Sequence, residues 1–378
     1  VCRLVERLAA AFPKNRFVLT CRTRAFSGNV GLTGFQVLPV GDLTPEQVRD
    51  FVKRWCEALY QDAGRSAAEA ERKALTAAVL EHARVRQLAT NPLLLTVVAV
   101  IHWNRKKLPD QRAELYDEAV RVLLDRRRSD PRVREVLADV ALRMHEGAKE
   151  GDVGGDSVEA DRADVIALVG SQLGLAPADA ERWLEAEELE SGLLVSRSGG
   201  RCRFVHQTFQ EYLTAAGLKG LGDVAMWDRL APPLFGARWV EVVLLLAGQI
   251  AFKDGRGRVA ALLGRILDAG GADAGQRARA ATLAARCLRD VAAYGVDADI
   301  ERRIRDGVKQ AVSLLTDARH PLDLRARIDV AEALGQFGDP RLEGDPMVEV
   351  PGAGFSIDKS PVTNQQFAAD DVLGEYIL

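Results

Sequence analysis

No cysteine in this chain has a near neighbour of its own kind. The five that occur (Cys2, Cys21, Cys56, Cys202 and Cys287) are scattered and odd in number, so they compose neither a disulfide framework nor a CxxC zinc pattern. Such a set reads as reduced thiols in a cytoplasmic protein. Long hydrophobic runs are missing too. The longest, near Val240–Ile250, is too short to span a bilayer, and no secretory signal opens the chain. There is no excess of either charge: a net charge of −3 gives no bulk electrostatic reason to expect nucleic acid or an anionic membrane as partner. Catalytic signatures are equally scarce. No GxxxxGK[ST] loop, HExxH pair or Ser-His-Asp arrangement can be found, and no metal-ligand set stands out. From its residues alone the chain is no complete enzyme.

What is present is ordinary globular material, 47% apolar and 28% charged, in 378 residues, enough for two to four compact units. The chain starts at Val1, without methionine, inside an amphipathic pattern (Leu4, Leu8, Ala11, Phe12), so it reads as a fragment. Phe17 to Cys21 is a short apolar and β-branched run, the composition of a buried parallel strand, and a second run covers Phe35 to Val40. Thr44, Pro45 and Gln47 then spell a capping box with proline at the first helical position. Val48, Phe51, Val52 and Trp55 share one face of the helix that follows.

Helical patterns recur at about 66–88, 93–104, 111–128, 131–147, 161–173 and 177–189. Asn91–Pro92 imposes a turn between two of them. After 190 two β-rich runs flank Ser198-Gly199-Gly200, a hairpin signal. Three helices and a hairpin are the layout of a winged helix, here followed at once by another helix, Gln207–Leu218. Residues 223–337 read as all helix, and stacked pairs of a HEAT-like solenoid fit without a strict period. Beyond Asp339-Pro340 the composition turns to short strands and turns.

Four positions invite a chemical role. His206 falls where the second hairpin strand ends and a helix begins. It either closes that corner by hydrogen bonding or adds a donor to an anion at the helix N-terminus. Arg22 and Arg24 follow the expected strand, where an arginine either forms a surface ion pair or reads a phosphate bidentately. Pro92 either starts a helix or packs its ring on a planar base. Gln210 and Glu211 read as solvated or hydrogen-bonded helix positions, and Phe204, Phe209 and Tyr212 as core. The charge cluster at 121–130 reads as a solvated helix end.

Three segments, in this order, resemble the NACHT family of STAND signalling ATPases, particularly its bacterial members. RFVLTCRTRAF (16–26) is similar to the family's strand and sensor-1 arginine. LATNPLLLTVVAVIHWNRKKLPDQRAELYDEAVRVLL (88–124) is similar to its helical subdomain. RFVHQTFQEYLTA (203–215) is similar to the end of its winged-helix domain. The resemblance implies Arg22 as sensor 1, Pro92 as the adenine contact and His206 as the contact to the ADP β-phosphate, with ATP or ADP as cofactor and Mg in the intact protein. The family's Walker A lysine and Walker B acids would lie upstream of Val1, so this stretch is expected to be inactive alone. A second resemblance, carried by DPMVEVPGAGF (345–355) and IDKSPVTNQQFAA (357–369), is to the start of a formylglycine-generating-enzyme, or sulfatase-modifying-factor, domain.

The expected architecture is therefore mainly α. Residues 1–43 form the edge of an α/β NTPase core, 44–107 a helical subdomain and 108–216 a winged helix. Residues 217–340 form a HEAT-like α-solenoid, and 341–378 a truncated α+β segment. The expected function is the regulatory half of an ADP/ATP-controlled switch in signalling or anti-phage defence. It would self-associate on activation and answer to a protein or phage-derived trigger, with neither membrane nor nucleic acid as partner. The alternative is a formylglycine-generating-enzyme family protein with a NACHT-derived N-terminal region.

Overall fold

In a computed structural model of the chain, Thr44 and Gln47 close the capping box. Gln47 N–H donates to Thr44 Oγ1 at 3.3 Å and Thr44 N–H donates to Gln47 Oε1 at 2.8 Å, starting a helix at Pro45. The structure describes residues 2–19, 41–60, 64–81, 92–105, 111–124, 132–148, 158–197, 200–315, 324–337, 347–349 and 356–358, with a few isolated positions between them. The fold is mainly helical. No helix among the described residues is long and apolar enough to cross a membrane.

The elements in chain order begin with α1 (Cys2–Ala11), α2 (Pro45–Leu59), α3 (Arg65–Leu80), α4 (Pro92–Arg105), α5 (Arg112–Leu124) and α6 (Val133–Gly147). A short strand β1 (Ala160–Asp161) precedes α7 (Arg162–Leu173), α8 (Pro177–Glu190), β2 (Leu194–Arg197) and β3 (Arg201–Phe204). Then come α9 (Gln207–Gly220), α10 (Asp223–Leu230), α11 (Val240–Asp254), α12 (Arg256–Asp268), α13 (Ala274–Val291), α14 (Ala298–Ala311) and α15 (Leu324–Phe337). An antiparallel pair, β4 (Met347–Glu349) and β5 (Ser356–Asp358), follows in the register Val348 opposite Ile357.

One expectation fails in its described part. Arg16 to Leu19 belong to no strand, and Val18 is 90% exposed, so no buried strand is formed there. A strand buried on both faces needs flanking strands for its amides and carbonyls, and no described residue supplies one beside it. Thr20, Cys21, Arg22 and Arg24 lie outside the described residues, as do 36–40 of the second apolar run and 125–130 of the charge cluster.

Two compact units divide the chain, one of residues 1–259 with 290–295, the other of 260–289 with 296–378. In the first, α2 and α3 pack together and α4 lies against both. Buried His102 of α4 sits 3.0 Å from Glu71 of α3. The hairpin forms where Ser198-Gly199-Gly200 predicts it, with Gly200 at a φ of 70° and Arg197 paired with Arg201. The sheet has the order β1-β3-β2. Its first strand is only two residues long and no sequence pattern announces it.

Helix α9 packs against α6 and α11. Its residues Phe209 to Ala215 are all buried, a full two turns with no solvent face. Of the two alternatives expected for Gln210 and Glu211, the solvated one fails, because other elements surround the first half of the helix and leave them 1% and 5% exposed; Glu211 meets the hydrogen-bonded one by accepting from Gln207. Helix α11 is likewise buried without a break from Val242 to Ala251, the mark of a central helix. In the second unit, Ile304, Val308 and Ala311 form the buried stripe of α14, which packs on α15. Asp297 caps that helix by accepting the Asp299 and Ile300 amides at 2.9 and 3.3 Å.

The closest backbone approach on α9 falls at Gly217, where an added Cβ would stand 2.7 Å from the carbonyl oxygen of Ala138 in α6. Gly217→Ala should therefore destabilise the protein by about 1–3 kcal/mol through overpacking. Gly220→Ala, on the same helix with nothing within 4 Å, should be neutral or stabilising by up to about 1 kcal/mol. Urea unfolding of the two variants checks the contrast.

Candidate functional site at the start of helix α9

Strand β3 delivers His206 to the N-cap of α9. Val205 N–H donates to Leu193 O at 2.8 Å, and His206 stays extended, with φ −147° and ψ 146°, before the helix begins. Histidine is not a usual N-cap, but here its ring does the work of one: Nδ1 accepts from the Thr208 amide at 3.2 Å. A backbone amide can only donate. Nδ1 is therefore the acceptor here and carries no proton, and the Thr208 hydroxyl lies 2.9 Å from it. The neutral ring accordingly holds its proton on Nε2.

Behind this ring stands a chain of buried groups. The Thr208 side chain hydrogen-bonds with Tyr116 of α5, whose ring meets Phe209 edge-on at 6.1 Å and stacks on Tyr212 at 5.8 Å. Burial pushes the Tyr116 phenol above its ordinary range, so it stays protonated. One turn on, Gln207 donates to Glu211 Oε1 at 2.7 Å. The half-buried imidazole is thus held by groups that the core itself fixes. Sequence inspection missed Thr208 and Tyr116. A threonine two residues after an N-cap is the local signal for the first; Tyr116 lies 92 positions from Thr208 and leaves none.

The strongest polar cluster near α9 is centred on Asp117 of α5. Its Oδ1 accepts from Tyr212 Oη at 2.7 Å, from Lys253 Nζ of α11 at 2.6 Å, and from Arg134 of α6. Arg134 also donates to Tyr212 Oη at 2.7 Å. Burial pushes the Asp117 carboxyl upward, but Lys253, Arg134 and Tyr212 outweigh it and hold it below the usual value. At the start of α5, Arg112 pairs with Glu241 at 2.6 Å and Asp290 at 3.3 Å.

The expected site residues are distributed as follows. His206 is on the strand–helix corner described above. Pro92 is the first residue of α4 and exposed, a helix start of the ordinary kind. No hydrogen bond or ring contact among the described residues joins it to His206. Arg22 lies outside the described residues. Phe204, Phe209 and Tyr212 are core, at 0%, 1% and 0% exposure. No group of His, Cys, Asp and Glu among the described residues could hold a metal ion.

Burial shifts the proton affinity of His145. His145 of α6 is 2% exposed and meets Trp239 edge-on at 4.7 Å. Burial, aided by the Arg238 charge, lowers its pKa from 6.5 to about 4. No protein-family model matches the chain, and no characterised protein matches it.

Two outcomes follow from these groups. His145 is neutral in the folded protein, and the unfolded chain takes up the proton first on acidification. Its contribution is complete above pH 6.5 and is lost as pH falls to about 4, a drop of about 3 kcal/mol. Denaturant titrations across that window should show the slope in wild type and lose it in His145→Gln. Asp117→Asn keeps an amide oxygen but removes the negative charge on which Lys253, Arg134 and Tyr212 converge, and should cost about 1–3 kcal/mol in the same assay at pH 7. For wild type this contribution is present above pH 3.8 and lost only as pH falls through the lowered folded-state value.

Proposed function

We propose that this chain is the regulatory half of a NACHT-type STAND nucleotide switch, in which His206 holds the β-phosphate of ADP. One observation carries the proposal: the fold uses Nδ1 of His206 as a cap and so puts the ring proton on Nε2, at the positive end of a 14-residue helix. Unpaired first-turn amides and the helix dipole favour an anion there, and an imidazole N–H is a matching donor. The order of elements supports the same reading. Helices α6, α7 and α8 followed by the β2–β3 hairpin have the sequence of a winged helix, and α9 extends it.

In this reading Arg22 serves as sensor 1, Pro92 contacts adenine, residues 44–107 form the helical subdomain and 217–340 a HEAT-like sensor or spacer. The β4–β5 hairpin suits the start of a formylglycine-generating-enzyme-like module with a recognition role. Nucleotide exchange then releases the closed state, followed by self-association and signalling, in bacterial relatives against phage. A ligand shifts a two-state equilibrium only by its differential affinity. A charge-assisted contact of about 1.5–3 kcal/mol is enough for a ten- to hundredfold bias.

A DNA-reading winged helix is disfavoured by charge. Helix α8, which precedes the hairpin, carries Asp179, Glu181, Glu185, Glu187, Glu188 and Glu190 against a single Arg182. Phosphates would be repelled from it.

The test is ADP retention by the full-length protein. His206→Ala should weaken it by ten- to a hundredfold. His206→Asn keeps an N-cap acceptor but not the Nε2 donor, so it should restore stability without restoring retention. If His206→Asn retains ADP as wild type does, His206 is a cap and nothing more, and the proposal fails.

A further inference from the structure

Three threonine and glutamine side chains elsewhere on helices of this protein find backbone carbonyls. Thr96 and Thr282 turn their hydroxyls back to the carbonyl four residues earlier, Pro92 O and Ala278 O, each at 2.9 Å. Gln249, 2% exposed on α11, donates to the Tyr212 carbonyl at 2.9 Å. Gln210 and Thr214 of α9 depart from this pattern. They are 1% and 0% exposed, yet Gln210 Nε2, Gln210 Oε1 and Thr214 Oγ1 have no hydrogen-bond partner among the described residues. Thr214 does not take the Gln210 carbonyl that its position offers.

A buried amide or hydroxyl without a partner costs about 1–3 kcal/mol, so two adjacent ones need an explanation. They are four residues apart on one helix, which places their side chains one above the other at about 5–6 Å. That span equals two hydrogen bonds of about 2.8 Å end to end. Between them they offer donors and acceptors but no charge. An ion would be left without a countercharge in a site closed to solvent, at prohibitive cost. A neutral guest of one heavy atom is what fits.

We infer that Gln210 and Thr214 form a binding site for an ordered internal water that bridges them within the core around α9. The water accepts from Gln210 Nε2 or donates to Oε1, and completes its set through Thr214 Oγ1. Buried waters with two to four such partners are regular parts of globular cores. The site is independent of the His206 phosphate reading, since it lies beneath the helix surface and needs no nucleotide.

The test is a count of long-lived internal waters by oxygen-17 magnetic relaxation dispersion on the full chain, with thermal unfolding alongside. The double variant Gln210→Met/Thr214→Val should hold fewer such waters than wild type, by one. Each single variant should lower Tm, because it strips the water of one anchor. The double should lower it by less than the two shifts summed, because the water then leaves altogether. Thr214→Ser keeps the hydroxyl and should keep the wild-type count. An equal count in wild type and double variant overturns the inference, whatever the Tm values.

Discussion

One carboxylate oxygen, Oδ1 of Asp117, ties together helices from four separate parts of the sequence. Tyr212 on α9, Arg134 on α6 and Lys253 on α11 all donate to it from outside α5. Each of these helices is amphipathic or apolar enough to collapse without help, but collapse alone leaves their rotation and register loose. Donors of fixed direction on one acceptor remove that freedom. The partly buried position matters: fully exposed, the cluster would contribute little, and fully buried, desolvation would outweigh the attraction. Because Tyr212 sits between Arg134 and Asp117, the register of α9 is set from its middle, and His206 at its start inherits that register.

Helix α9 is therefore divided in purpose along its length. Its aromatic residues and Gly217 serve packing, while its N-cap serves the surface. The same histidine ring contributes to both, through different nitrogens. Nδ1 satisfies a first-turn amide that would otherwise be unpaired, and Nε2 carries the proton. A fold that spends one ring nitrogen on itself thereby fixes the chemistry of the other, in the way that metal-bound histidines are oriented by their outer partners.

Local chemistry made much of the architecture legible. Thr44, Pro45 and Gln47 interact within three residues of one another, so the start of α2 needs no tertiary information. The same holds for the turn at Gly200 and the proline that opens α4. The Phe204–Phe209–Tyr212 core was legible because large aromatics lose more than they gain in water. What stayed hidden depends on distant partners. Asp117, Arg134 and Lys253 are ordinary surface-type residues until four helices meet. Strand β1 exists only because Ala160 finds Cys202. The solvated alternative for Gln210 and Glu211 failed for a related reason: a polar side chain predicts a solvent face only when the helix has one.

The same distinction bears on the site. His206 could be located from sequence because a strand–helix corner is a local feature, but its tautomer could not. That required Thr208 and, behind it, Tyr116 from another helix. A protonated ring would place an N–H against the Thr208 amide, so the cap favours a neutral imidazole. Neutral imidazole offers one donor and no full charge. The attraction for a diphosphate would then come from the helix N-terminus and from a separate cation, with His206 supplying direction. In the proposed switch Arg22 would be that cation, the guanidinium supplying charge and the imidazole direction.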